Sequence, residues 1–387
     1  MMVSGLRYAG DLSGLSFIDD MFLKQHGSKQ LLCRMFSTKS YLSTSSSLAK
    51  KLNDAQAHHE LRNFVEIGKG QTGTVWALTG TDQVIKVANQ NRSEGLWNDF
   101  LRHMRVESAF QSTSIVLRRE INIPRVGDWV SPTNELFWGQ SLPLLPPGSQ
   151  PDHGFISSRI FPLPLPIREA IIDEFAPRSI KRAKASFLQE PASKDCLVRL
   201  YLGRRTERTG AFKLRNFDMA VNEMEHLGLD TKMYAIAMAK ILAIMHWKAG
   251  LDANDVEIVL GSSPKIKMRA ALSDYENTTL ADAMLLGQEF DFEHRSVGIW
   301  LLDFDQCQEF SKDNQGVQQL VRGFFWNDPY YPRPHAKDSR DVALWTEFRD
   351  AYLKVSKCLT DTDMPGQFIN AVEAEGLKRS AGASLFQ

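Results

Sequence analysis

The chain carries no excess charge of either sign: 46 Lys and Arg balance 46 Asp and Glu over 387 residues. Without a basic surplus, binding to nucleic acid or to an anionic membrane driven by bulk electrostatics is disfavoured. Cysteine is scarce, with only Cys33, Cys196, Cys307 and Cys358, too far apart for a CxxC zinc pair or a compact disulfide framework. No zinc is therefore expected, and the thiols should be buried or free in a reducing compartment. No run approaches the roughly 18 to 20 apolar residues of a bilayer span, and no apolar segment follows a basic start. No repeat of solenoid length is visible. At 43% hydrophobic and 24% charged, with 25 Gly and 16 Pro scattered without period, the composition is that of a globular protein. A soluble intracellular protein follows, expected in the cytoplasm, with the nucleus left open.

Residues 1–60 read as a disordered extension, because Ser37 to Ser47 is crowded with Ser and Thr. Between Lys24 and Lys51 stand six Lys and Arg and no acid, as in a mitochondrial presequence. Asp11, Asp19 and Asp20 precede that stretch and favour a solvated tail instead.

From Phe64 the pattern changes. Phe64-Val65-Glu66-Ile67 alternates like a strand, breaks at a glycine cluster and resumes at Thr74–Leu78. Val84–Ala88 gives a third strand, and about 94–111 a helix with Leu96, Phe100, Met104 and Phe110 on one side. Three strands and a helix suggest a small antiparallel α+β lobe over 61–160. Pro132, Pro143, Pro146, Pro147 and Pro151, followed by Pro162, Pro164 and Pro166, mark a loop and a connector. Beyond them the chain turns helical over 161–370, and a tail is expected over 371–387. Tyr234, Ala237, Met238, Ile241, Leu242 and Met245 form one continuous apolar face, and Trp345, Phe348 and Tyr352 form another after a cap at Asp338 and Ser339.

The glycine cluster, Gly68-Lys69-Gly70-Gln71-Thr72-Gly73-Thr74-Val75, satisfies GxGxxGxV between two strands, whereas a dinucleotide fingerprint must open a helix. Glycine there permits positive φ and lets backbone N–H groups approach phosphate oxygens; a tight hairpin turn is the plainer reading. Lys86 sits in an otherwise apolar strand, where it either snorkels to water or meets a phosphate. Its carboxylate partner would come from the following helix, with Glu107 chosen and Glu94 competing. Asp252 precedes a polar residue, Glu257, by five positions and then an apolar strand, as in a D-x-x-x-x-N catalytic loop. Asp252 would orient an acceptor hydroxyl, and Glu257, in place of Asn, would hold metal. Asp303 ends the apolar run Ile299–Leu302, where a nucleotide-bound Mg²⁺ would be gripped, or where a turn is capped. His246 reads as a hydrogen-bonded core histidine.

In order, Gly68, Gly70, Gly73, Lys86, Glu107, Asp252 and Asp303 resemble the protein-kinase-like fold: two lobes, a small antiparallel one and a mainly helical one, with ATP and Mg²⁺ between them. Asp305 after Asp303-Phe304 leans toward small-molecule kinases such as the aminoglycoside and choline kinases. The resemblance implies a phosphotransferase acting on an unnamed hydroxyl; the degenerate loop leaves a catalytically inactive regulatory or scaffold protein as the alternative. Five phrases, Ser158–Pro164, Arg199–Arg205, Met245–Gly261, Leu302–Asp305 and Asn327–Pro334, are similar to the fungal family called domain of unknown function 3669, often labelled zinc finger proteins. Within them Arg159, Arg204 and Arg205 suggest an anion or partner site, and Tyr330 and Tyr331 either a recognition turn or core packing.

Overall fold

Alternating β-branched and aromatic residues on either side of the glycine cluster pair as strands β3 (Phe64–Lys69), β4 (Gly73–Leu78) and β5 (Gln83–Ala88). In the computed structural model, which describes residues 16–18, 20–38, 40–43, 47–208, 210–266, 276 and 290–382, this meander is extended by two more strands. With β1 (Ser16–Ile18), β2 (Ser40–Ser43) and β6 (Ile121–Asn122) belonging elsewhere, β7 (Val126–Val130) and β8 (Gly154–Ser158) complete an antiparallel sheet of order β3-β4-β5-β8-β7. The helix Ser93–Gln111 covers one face through Leu96 and Phe100, which pack on Phe155. The other face is closed by Phe64, Ile85, Val130 and Trp138. Trp138 comes from the proline-rich stretch, which is not all loop: Glu135–Ser141 forms a helix between Pro132 and Pro143, capped by Asn134, which accepts from the Phe137 amide.

A second sheet is mixed. Its seven strands comprise β9 (Val198–Tyr201), β10 (Phe217–Ala220), β11 (Glu257–Ile266) and β12 (Phe290–Leu302), in the order β1-β2-β12-β11-β9-β10, with β6 beside β12. The β11/β12 hairpin is its spine, and its register sets Glu257 opposite Leu302, one residue before Asp303. Most of the long stretch joining these strands, 267–275 and 277–289, lies outside the described residues. The fold is thus mixed α+β, with antiparallel pairing and several long helices.

The apolar periodicity beyond residue 230 corresponds to the helix Thr231–Ile244, capped by Asp230, which accepts from the Met233 amide. Tyr234, Ala237, Met238, Ile241 and Leu242 are all buried, and their helix packs on the helix Ser339–Ser356, in which Phe348 and Tyr352 are buried too. Asp338 caps that second helix by accepting from the Arg340 amide.

Two expectations for the ends of the chain need correction. Residues 1–60 are not a loose extension where they are described. Leu31, Leu32, Met35 and Phe36 line one side of the helix Ser28–Phe36, and Ile18, Leu32, Met35 and Phe36 are 0% exposed. The Tyr234 hydroxyl donates to the Phe36 carbonyl at 2.5 Å, and β2 pairs with β12. The Ser/Thr-rich composition that follows hides this short amphipathic helix. Nor does a tail begin at 371: the helix Met364–Ser380 runs through it, with Val372 fully buried.

Phe36→Ala should therefore destabilise the protein by about 3–5 kcal/mol in urea unfolding, as for any core phenylalanine. A loss under about 0.5 kcal/mol, normal for a surface change, would show that this helix is not part of the core.

Candidate active site

The hairpin turn between β3 and β4 is closed by the Gly70 amide donating to the Gly73 carbonyl at 2.9 Å. None of Gly68, Gly70 or Gly73 has positive φ, so left-handed backbone is not why they are glycines. At Gly73 the reason is steric: a Cβ would lie 2.6 Å from the Val87 carbonyl oxygen. Asn89, which sequence reasoning does not single out, staples the turn. Its Nδ2 donates to the carbonyls of Gly70 and Gln71 at 2.9 and 3.2 Å, and its Oδ1 accepts from Thr74.

Lys86 stands opposite Val75 in the sheet and points under this turn region to the helix Ser93–Gln111. Its partner there is Asp99, at 2.7 Å, with 15% and 5% of the two side chains exposed. Neither predicted carboxylate takes that place. Glu94 is exposed at the start of the helix. Glu107 accepts from the Val126 amide and from Gln111, each at 2.8 Å, and so ties the helix to β7. Burial raises the Glu107 pKa against those donors. Asp99 was legible as a carboxylate inside an apolar stripe, one turn from Leu96 and His103 and next to Phe100.

Burial works against the Lys86 ammonium, but Asp99, and behind it Asp303 and Asp305, more than offset this and hold its pKa above the ordinary value. The Asp303-Phe304-Asp305 segment reaches the lysine because β12 ends beside it and the chain turns through a left-handed residue, Asp303 with φ 67°. Phe304, 1% exposed, packs on the His103 ring at 5.0 Å, and Arg102 donates to the Asp305 carbonyl at 2.6 Å. Gln306 Nε2 lies 3.2 Å from Gln71 Oε1, so the segment also touches the glycine turn. Burial first, then the like charge of Asp305, pushes the Asp303 carboxyl up to about 7, with Lys86 opposing and Glu257 and Asp99 adding to the shift. Burial likewise raises Asp305.

The loop at Asp252 is arranged differently from expectation. Asp252 is 5% exposed and its oxygens are taken: Oδ1 accepts from the amides of Asn254 and Gln308, at 3.1 and 2.9 Å, and Oδ2 from Gln319 at 2.8 Å. It braces the loop against the chain beyond Asp303. The exposed carboxylate is Asp255, in left-handed backbone at φ 61°, with its amide donating to Asn327 Oδ1 at 2.7 Å and its Oδ1 accepting from Trp326. Asp255 adds negative charge at both Glu257 and Asp305. Glu257 is not a free metal ligand either, since Arg199 of β9 donates to it directly. Burial nonetheless keeps the Glu257 pKa raised. Among the described residues no group of three His, Cys, Asp or Glu stands ready to enclose a metal ion.

His246 Nδ1 lies 2.9 Å from the Tyr352 hydroxyl inside the core. Tyr330 and Tyr331 are buried, Tyr331 stacked on Phe324 at 4.9 Å, so their turn packs and does not project. Arg205 is spent on Glu225 and Asp341, and Arg204 is exposed, so neither joins Arg159.

Residues 299–363 match the family model of domain of unknown function 3669, described as a zinc finger protein. The match begins within β12, takes in Asp303 and Asp305, and supports the resemblance across that stretch. No curated protein matches the chain. Among the described residues, the cysteines do not form a donor set that fits zinc. Burial pushes the Cys196 thiol up to about 12 and Cys307 well above its ordinary value, and all four cysteines are free and unclustered. Among the described residues, no helix is long and apolar enough to cross a membrane.

Asp99→Asn, which strands a buried ammonium, should cost about 3–5 kcal/mol in urea unfolding, whereas Glu107→Gln, which keeps an acceptor for Val126, should cost about 1 kcal/mol or less. The reverse order would restore Glu107 as the partner that matters.

Proposed function

We propose that the protein is an atypical kinase-like protein that binds ATP with Mg²⁺ between the five-stranded sheet and the part built on the seven-stranded sheet and the long helices, and transfers phosphate to a hydroxyl acceptor. The observation that carries this is the Lys86 ammonium, held by Asp99 and acted on by Asp303 and Asp305, beside a glycine turn that the same Asp303 segment touches. The element order supports it as well: a meander bearing the lysine, a helix supplying its counter-ion, a core helix, the Asp252 loop, a hairpin and then Asp303.

In this reading Lys86 donates to phosphate oxygens, with Asp99 fixing its position, and the turn, whose Gly70 amide is bonded to the Gly73 carbonyl, would offer backbone N–H groups from its remaining residues. Asp303 and Asp305 would hold Mg²⁺; burial raises both carboxyls, with the like charge of Asp305 adding at Asp303 and that of Asp99 and Asp255 adding at Asp305, and such a donor set is one that a hard cation relieves. The metal, when bound, neutralises charge on the phosphates. Asp252 positions its loop, and Asp255, exposed beside Glu257 and Asp305, is the carboxylate available to orient an acceptor. The chain's work is positioning and charge stabilisation.

A second reading, an inactive regulatory or scaffold protein, is favoured by one observation: Glu257, which stands where a second metal ligand would be, is engaged by Arg199.

Millimolar ATP with Mg²⁺ should raise the melting temperature, by the equivalent of about 2.7 kcal/mol at a hundredfold excess over Kd. Asp303→Asn should fold, because it removes repulsion, yet lose the metal-dependent part of the shift, and Lys86→Met should lose most of it. Absence of any shift in the wild-type protein would overturn the nucleotide reading. A shift without phosphate release in a single-turnover assay would favour the scaffold.

A further inference from the structure

Three arginines gather near the junction of the two sheets without a carboxylate in direct contact among the described residues. Arg199, Arg205 and Arg208 each sit in an ion pair with a carboxylate. Arg159, Arg168 and Arg295 form none among the described residues, although Arg295 is 0% and Arg168 6% exposed. They are close together. The Arg159 and Arg295 guanidinium groups stand 5.0 and 5.9 Å from the centre of the same Phe161 ring, and the positive charges of Arg159 and Arg168 both act on Arg295.

Backbone carbonyls satisfy part of the cluster. Arg295 donates to Pro162 and Phe292 at 3.0 and 3.3 Å and to the Ser262 hydroxyl at 3.1 Å, and Arg168 donates to Leu163 and Ser193 at 3.1 and 2.8 Å. Among the described residues, two buried donors of the cluster have no hydrogen-bond partner, Arg295 Nη2 and Arg159 Nε. The acids that bear on the cluster are Asp195 and Glu169. Asp195 is itself driven toward its neutral form by burial, against the pull of Arg159, Arg215 and Arg168. Burial, followed by the neighbouring arginines, pushes Arg295 down to about 9.

We propose that Arg159 and Arg295, with Arg168 behind them, bind a small oxyanion of the phosphate or sulfate class. A planar guanidinium matches such an ion with directed N–H groups, and an ion with several acceptor oxygens can take both stranded donors at once. An unpaired guanidinium in the interior is otherwise costly enough that a bound counter-ion is the simplest remedy. Arg159 is only half-buried, which gives the ion a way in. The site lies on the connector that leaves β8 and pairs Phe161 with Ser262 of β11, so an occupant would fasten one sheet to the other. It is separate from Lys86 and does not depend on the nucleotide reading.

The test is thermal unfolding of the full chain after exhaustive dialysis against chloride, with inorganic phosphate or sulfate added at matched ionic strength. Native mass spectrometry of the dialysed protein counts any ion retained. The expected result is a saturable rise in Tm of about 2–5 °C, or a retained oxyanion, in the wild type and in Lys86→Met, and neither in Arg159→Met. The partial exposure of Arg159 lets that variant fold. Arg295→Met serves as a second check, since replacing the buried charge with an apolar side chain should remove the anion effect without unfolding the protein. Neither a shift nor a retained ion in the wild type, or an equal shift in Arg159→Met, overturns the proposal. Preference for phosphate over sulfate would separate the two sources.

Discussion

One ammonium group organises the centre of this protein. Lys86 lies in a buried position that charge would normally avoid, and it stays charged because Asp99 is bonded to it and Asp303 and Asp305 lie beyond. The surroundings remain over-supplied with negative charge. Asp303 is pushed up to about 7, and Glu257 is raised despite its ion pair with Arg199. On the proposed reading, that imbalance would draw a cation and the lysine beside it would draw phosphate, the two demands that a nucleotide–metal complex would meet together.

The fold serves that arrangement from several directions. The five-stranded sheet presents Lys86, the Ser93–Gln111 helix presents Asp99, and the β11/β12 hairpin delivers Asp303 at the end of a long strand. The same helix holds the hairpin's exit through Arg102 to the Asp305 carbonyl and through the His103 ring against Phe304. Any movement of the helix would therefore shift the lysine's counter-ion and the carboxylate turn together. Asp252, bonded to the chain at Gln308, couples the neighbouring loop to that turn. The arginine cluster gathers around Phe161, whereas the match over residues 299–363 takes in the two hairpin carboxylates of the centre but neither Lys86 nor Asp99.

Periodicity made the strands around the glycine turn, the core helix at Thr231–Ile244 and the strand ending at Asp303 readable before any coordinates, because each buries one consistent face. Pairings between distant side chains were less readable. Spacing along a helix admits several carboxylates as the lysine's partner, and only the packing of Leu96 and Phe100 against Phe155 selects the face that carries Asp99. Asp252 and Asp255 differ by three positions in sequence, yet two residues with positive φ, Ala253 and Asp255, turn them to different neighbours. Composition misled at the N-terminus: a Ser/Thr-rich run follows a short helix whose buried side is visible only once Tyr234 and β12 are in place.

A double-mutant cycle between Lys86→Met and Asp303→Asn, read by urea unfolding of the nucleotide-free protein, tests the central claim most directly. Side chains that share one pocket should show a coupling energy of about 0.5 kcal/mol or more, and Asp99→Asn should change its size. Effects that add to within about 0.3 kcal/mol would mean that the lysine and the hairpin carboxylate do not meet, and the account of a single charged centre would fail.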